Sequence, residues 1–115
     1  MENGMAQEMY SYMCDKCATV SLREVAKRFC YHPCTVETIL RRETGESFTA
    51  LLRDIRMEEA ARILREEHTT VQEAANRSGY MHMSSFYKRF KARYGVTPGA
   101  YARSGAGKAE YRNNA

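Results

Sequence analysis

Two segments of this chain carry the same punctuation in the same order, and that repeat constrains the fold more than any other feature. At an offset of 49 residues, Glu24 meets Glu73, Ala26 meets Ala75, Arg28 meets Arg77 and Tyr31 meets Tyr80. Past a short break the offset becomes 50: Val36 meets Phe86, Leu40 meets Phe90, Arg41 meets Lys91 and Gly45 meets Gly95. One extra residue in the second break accounts for the change. Ser21 with Glu24, and Thr70 with Glu73, have the spacing of a capping box, in which the hydroxyl takes a free amide and the acid reaches back. Each segment therefore reads as a capped helix, a tight turn, a second helix and a glycine stop. That is the helix-turn-helix layout, although a plain helical bundle with repeated core packing would also carry such a repeat.

The rest of the chain fits around it. Met9, Met13 and Cys17 share one stripe, which predicts a lead helix over residues 8–17. Leu22, Val25, Ala26 and Phe29 give the next helix its apolar face. Pro33 suits the first turn of a helix running to about Glu43, with Val36, Ile39 and Leu40 inward and Gly45 as its stop. A longer helix follows from Ser47 to about Glu67, with Phe48, Leu51, Leu52, Ile55, Ala60 and Leu64 on its apolar side. Val71, Ala74 and Ala75 continue the second capped helix until Gly79. Phe86 and Phe90 point inward from a helix over Met83 to Tyr94, and residues 98–102 close the domain. Strand patterning is weak throughout. The expected divisions are 1–20 (arm and lead helix), 21–45 (first helix-turn-helix), 46–67 (linker helix), 68–95 (second helix-turn-helix), 96–103 (closing helix) and 104–115 (a small, polar tail expected to fray). A linker of that length would span roughly 30 Å, close to one turn of duplex DNA at about 34 Å.

Charge points the same way. The chain of 115 residues has a net charge of +4, and from Ala74 to Ala109 it contains no Asp or Glu while holding Arg77, Lys88, Arg89, Lys91, Arg93, Arg103 and Lys108. A field of that sign suits a polyanionic partner, although a solvated basic face would look the same. No run of apolar residues is long enough to span a bilayer, so no membrane partner is expected. The first ten residues lack a basic segment followed by an apolar one. The expectation is a cytoplasmic protein with reduced thiols. There is no G-x-S-x-G, no glycine-rich phosphate loop and no H-E-x-x-H, so no catalytic residue, enzyme activity or cofactor is implied.

The segments Gly79-Tyr80, Ser85-Phe86-Tyr87, Phe90-Lys91 and Tyr94-Gly95-Val96-Thr97-Pro98 together resemble the second-motif signature of the AraC/XylS family of bacterial transcription regulators. The run from Arg42 to Phe48 is similar to that family's first-motif ending, and Arg56 falls where its linker helix carries an arginine. The resemblance covers about residues 9–103. It implies an all-α fold of two homeodomain-like, three-helical units joined by a long linker helix. It also implies sequence-specific binding of double-stranded promoter DNA, with two recognition helices in adjacent major grooves, followed by contact with RNA polymerase. Single-domain members act as monomers; larger ones attach a sensor or dimerisation domain, and the residues do not separate a single-domain regulator from an excised C-terminal domain.

The resemblance places base-facing positions on the outer side of each second helix: Cys34, Thr35, Glu37 and Thr38 in the first unit, Met83, Ser84, Ser85 and Lys88 in the second. Lys88 suits guanine O6 or N7, Glu37 a cytosine amino group, and Thr38 and Met83 a thymine methyl. Arg41, Arg42, Lys91 and Arg93 are placed for phosphates, which set register and salt dependence. Two residues depart from the family pattern. Cys30 stands at the turn glycine, where positive φ would cost it roughly 1 kcal/mol, and His32 replaces a serine cap. The first recognition helix is also poor in donors, and Glu37 would repel phosphates, so the second unit is expected to supply more of the affinity.

Cys14 with Cys17 and Cys30 with Cys34 have the spacing of a split zinc site, but Cys17 reads as a core residue and Cys34 as part of the DNA-facing surface, so no metal is expected. His32 and His82 read as turn residues. Two other readings stay open: a metal- or thiol-responsive switch acting at Cys34, and an interaction module that uses these helices on an acidic partner.

Overall fold

The structure, a computed structural model, describes residues 2–104, with side chains from 4 to 103. Regular structure among the described residues is entirely helical: α1 Glu2–Asp15, α2 Leu22–Phe29, α3 Pro33–Thr44, α4 Phe48–Glu66, α5 Val71–Arg77, α6 Met83–Tyr94 and α7 Pro98–Ser104. They fall into two compact units that divide after Arg56, inside α4. Phe48, Leu51, Leu52 and Ile55 belong to the first core, and Met57, Ala60, Ala61, Ile63 and Leu64 to the second. The expected fold class, all-α with two helix-turn-helix units and a long linker helix, is what the chain adopts. From residue 105 the expected fraying tail lies outside the described residues.

The repeat is a repeat of backbone hydrogen bonds. Ser21 Oγ accepts the Glu24 amide at 3.1 Å and Thr70 Oγ1 accepts the Glu73 amide at 3.0 Å, each cap contributing about 1 kcal/mol. The Tyr31 amide reaches the Ala26 carbonyl at 2.9 Å, as Tyr80 reaches Ala75 at 2.9 Å. Gly45 donates to Arg41 and Gly95 to Lys91, both at 2.8 Å and both glycines at φ 81°. The correspondence runs further than the glycine stops: Ser47 Oγ caps the Ala50 amide and Thr97 Oγ1 caps the Ala100 amide. The start of α4 is thus the counterpart of α7, and the repeated unit has three helices.

In the first unit the core is aliphatic and sulfur-rich. Met9, Met13, Val25, Val36 and Leu40 are fully buried. The lead helix begins at Glu2 rather than at residue 8. Ala6 is buried as well, and positions 6, 9 and 13 extend the inward stripe back by one turn. The Tyr12 hydroxyl donates to the Glu24 carboxylate at 2.9 Å, and its ring meets Phe29 edge-on, tying α1 to α2. Arg56 Nε donates to the Cys17 carbonyl at 2.6 Å. That carbonyl lies just past the end of α1, where helix acceptors lack intrahelical partners. Cys17 itself is buried, the core role expected of it.

The second unit packs aromatic rings. Phe86 and Phe90 are fully buried with centroids 5.7 Å apart. Tyr94 and Tyr101 lie 4.6 Å and 5.2 Å from Phe90, and Tyr80 lies 5.2 Å from Phe86. Such tilted and edge-on contacts add to the burial of large side chains. At the end of α5, Arg77 grips Glu67 through two bonds of 2.6 and 3.1 Å. That grip holds the Glu67 carboxyl below the usual carboxylate range.

Candidate nucleic-acid interface

Each unit presents the outer face of its second helix, and the turn before that helix sets where the face begins. Cys30 is at φ 63°, ψ 41°, the left-handed region anticipated for it, and Gly79 is at φ 104° in the equivalent place. The extra residue of the second turn is Met81, and it is 87% exposed. His32 supplies a cap after all: its Nδ1 accepts the Cys34 amide at 3.2 Å. His82, at the start of α6, makes no such bond.

On α3, Cys34, Thr35 and Thr38 are exposed and Glu37 is half-buried. Most of the polar groups on this face are already engaged. The Thr38 hydroxyl donates to the Cys34 carbonyl at 2.9 Å. Glu37 Oε2 accepts from Arg41 Nε at 3.1 Å and from the Phe48 amide at 3.3 Å. The second bond satisfies an orphan donor at the start of α4, where the helix dipole also favours a carboxylate. Arg42 pairs with Glu43 at 3.4 Å. Arg41 and Arg42 are well exposed, and pairs of this kind contribute under about 1 kcal/mol. Both guanidiniums can exchange these partners for a phosphate, whereas the Glu37 carboxylate stays anchored to α4.

On α6, Ser84, Ser85 and Lys88 are exposed, and Met83 is half-buried against the second core. Lys88 and Lys91 make no hydrogen bond or ion pair among the described residues. Arg93 pairs with Glu58 at 2.8 Å, again near the surface. Spacing on the helix wheel also reveals residues that the motif reading passed over. Ser84, Tyr87, Lys88 and Lys91 form one stripe, and with Ala92 and Thr97 they line a shallow groove. Tyr87 is 42% exposed in that groove; its position three residues after Ser84 was the available signal. Arg89 is exposed on the same helix.

The charge divides unequally between the units. Residues 1–56 hold eight basic and eight acidic residues; residues 57–115 hold ten basic and six acidic ones. Of the cysteines, Cys14, Cys30 and Cys34 are exposed. Among the described residues no group of three or more His, Cys, Asp or Glu is placed to hold a metal ion, and no helix is long and apolar enough to cross a membrane.

Comparison with known proteins places this arrangement. A family model described as a helix-turn-helix domain matches residues 25–104. Over 82 residues the chain is 42% identical to an uncharacterized HTH-type transcriptional regulator of Mycobacterium tuberculosis, covering 71% of this chain and 24% of that protein. It is 29% identical over 82 residues to another such regulator of Bacillus subtilis, covering 71% of this chain and 34% of that protein. The chain thus spans a quarter to a third of the length of these relatives. Among solved structures, it is similar to the C-terminal domain of AraT, a response regulator from Geobacillus stearothermophilus. That match has a TM-score of 0.75 and 31% identity, covering 86% of this chain and 84% of that one. The DNA-binding domain of AdpA, a global transcriptional factor solved in complex with a target DNA, has the same fold. It gives a TM-score of 0.75 at 22% identity, over 86% of this chain and 90% of that one.

Proposed function

Since this chain belongs to the AraC-type helix-turn-helix family of DNA-binding transcription regulators, we propose that it binds duplex DNA sequence-specifically through α3 and α6, each in a major groove. The observation that carries this reading is the doubled frame of caps, left-handed turns and glycine stops, which presents a neutral face on α3 and the uncommitted Lys88 and Lys91 on α6. In this reading Lys88 donates to guanine O6 or N7, Ser84 and Ser85 hydrogen-bond to neighbouring base edges, and Met83 touches a thymine methyl at the edge of the core. Lys91, Arg93, Arg41 and Arg42 neutralise phosphates, with Tyr87 and Arg89 beside them. Cys34, Thr35 and Thr38 face bases from α3, while Glu37 serves chiefly to join α3 to α4. The chain is then a cytoplasmic binding module without catalytic chemistry, monomeric as a single-domain regulator or dimeric where a sensor domain accompanies it, and contact with RNA polymerase follows DNA binding.

The test is a selection from a random duplex pool at two salt concentrations, using the full chain. A recovered motif with two blocks about one helical turn apart is the expected result. Binding without any motif, collapsing as salt rises, would overturn the sequence-specific reading and leave an electrostatic coater.

A further inference from the structure

The two recognition helices differ in what they leave available. On α6 the Lys88 ammonium is uncommitted, and Ser84 and Ser85 are exposed beside it. On α3 the carboxylate of Glu37 is anchored to Arg41 and the Phe48 amide, and the Thr38 hydroxyl is turned onto the Cys34 carbonyl one helical turn back. A threonine that bonds to its own helix in this way offers its methyl group outward. Cys34 stands one turn before it, exposed, and a thiol behaves as a small, polarisable, weakly bonding surface. Residues four apart on a helix are surface neighbours. Cys34 and Thr38 therefore make one small apolar patch on the face of a helix otherwise flanked by Thr35, Glu37 and two arginines.

Only one base carries an apolar group in the major groove, the C5-methyl of thymine. We infer that α3 reads its half-site chiefly through thymine methyl groups seated on Cys34 and Thr38. The inference rests on the DNA-binding reading above and specifies the chemistry of one half of it. It makes the first block of the operator a preference for thymine, and the second block, read by Lys88, a preference for guanine.

The experiment compares two random duplex pools, identical except that one carries deoxyuridine in place of thymidine. Uracil keeps every hydrogen-bonding group of thymine and lacks only the methyl. With the full chain, the thymidine pool is expected to yield both blocks, and the deoxyuridine pool to lose the first block while keeping the guanine preference that Lys88→Ala weakens. A first block recovered equally well from both pools would overturn the inference while leaving DNA recognition intact. No enrichment in either pool would overturn DNA recognition itself. A second measurement uses Thr38→Ser, which keeps the hydroxyl and removes the methyl. Replacing the first-block thymines by uracils should weaken the unaltered chain about three- to tenfold and the serine variant distinctly less. Equal losses in both would show that the methyl group and Thr38 do not meet.

Discussion

Ser21 and Thr70 hold equivalent amides, Cys30 and Gly79 make the same left-handed turn, and Gly45 and Gly95 close equivalent helices at φ 81°. The side chains carried on this shared frame have diverged. One core is built from methionines and aliphatics, the other from stacked aromatic rings. One outer face is electrically balanced and internally bonded, the other basic and open. The clearest case is a pair of matched positions at an offset of 50: Glu37 corresponds to Tyr87, and Phe48 to Pro98. In the first unit the amide at the start of α4 needs an acceptor, and Glu37 provides it. In the second unit that position is a proline with no amide, and the residue matching Glu37 is an exposed tyrosine. Backbone punctuation specifies the fold twice over; side-chain commitments decide what each copy can still bind.

The comparison can be broken most severely at the cores. Phe90 contacts Phe86, Tyr94 and Tyr101, so Phe90→Ala should cost about 3–5 kcal/mol. Denaturant unfolding followed by tyrosine near-UV dichroism checks this, and a loss under about 1 kcal/mol would mean the ring cluster is not a tight core. The turns come next. Gly79→Ala should destabilise by about 1–2 kcal/mol, because φ 104° is hostile to any side chain. Cys30→Gly should stabilise by up to about 1 kcal/mol, since the cysteine already bears that strain. Equal and opposite shifts in midpoint would mark the two turns as equivalent. At the matched positions, Glu37→Ala should cost about 1 kcal/mol by stranding the Phe48 amide, and Tyr87→Ala should leave stability within about 0.5 kcal/mol.

The smallest effect concerns pH. Arg77 holds the folded Glu67 carboxyl below its ordinary value of 4.5, so the ionised form is favoured in the folded state. This contribution is complete above the unfolded value and disappears as pH falls through the folded one. Glu67→Gln should therefore flatten the acid limb of the stability curve and leave its shape near neutrality unaltered, as read by thermal midpoints across that range.

Much of the fold was legible in the sequence because caps and glycines act locally. The Ser21 and Thr70 caps, the Gly45 and Gly95 stops and the strained Cys30 all follow from a residue and its immediate neighbours. The first turn of the lead helix is not legible in the sequence, because Gly4 weakens the helical signal there and Ala6 is too small to announce itself as core. The candidate site positions come from the family resemblance, and the structure shows Cys34, Thr35, Thr38, Ser84, Ser85 and Lys88 exposed. Two of the commitments at the candidate positions are not legible in the sequence, because the partners lie at a distance along the chain. Glu37 is bound by an amide 11 residues on, and Arg93 by Glu58, 35 residues back. The exposure of Tyr87 is masked in the sequence by its neighbour Phe86, a core residue of the same motif.

The most direct test of unequal recognition is the salt dependence of affinity for the selected duplex. Each lost phosphate contact reduces the log–log slope by about one. If Lys91→Ala with Arg93→Ala lowers affinity and slope more than Arg41→Ala with Arg42→Ala, the α6 face carries the electrostatic share of binding, as this account predicts. A larger loss from the arginine pair would place that share on α3, and would contradict it.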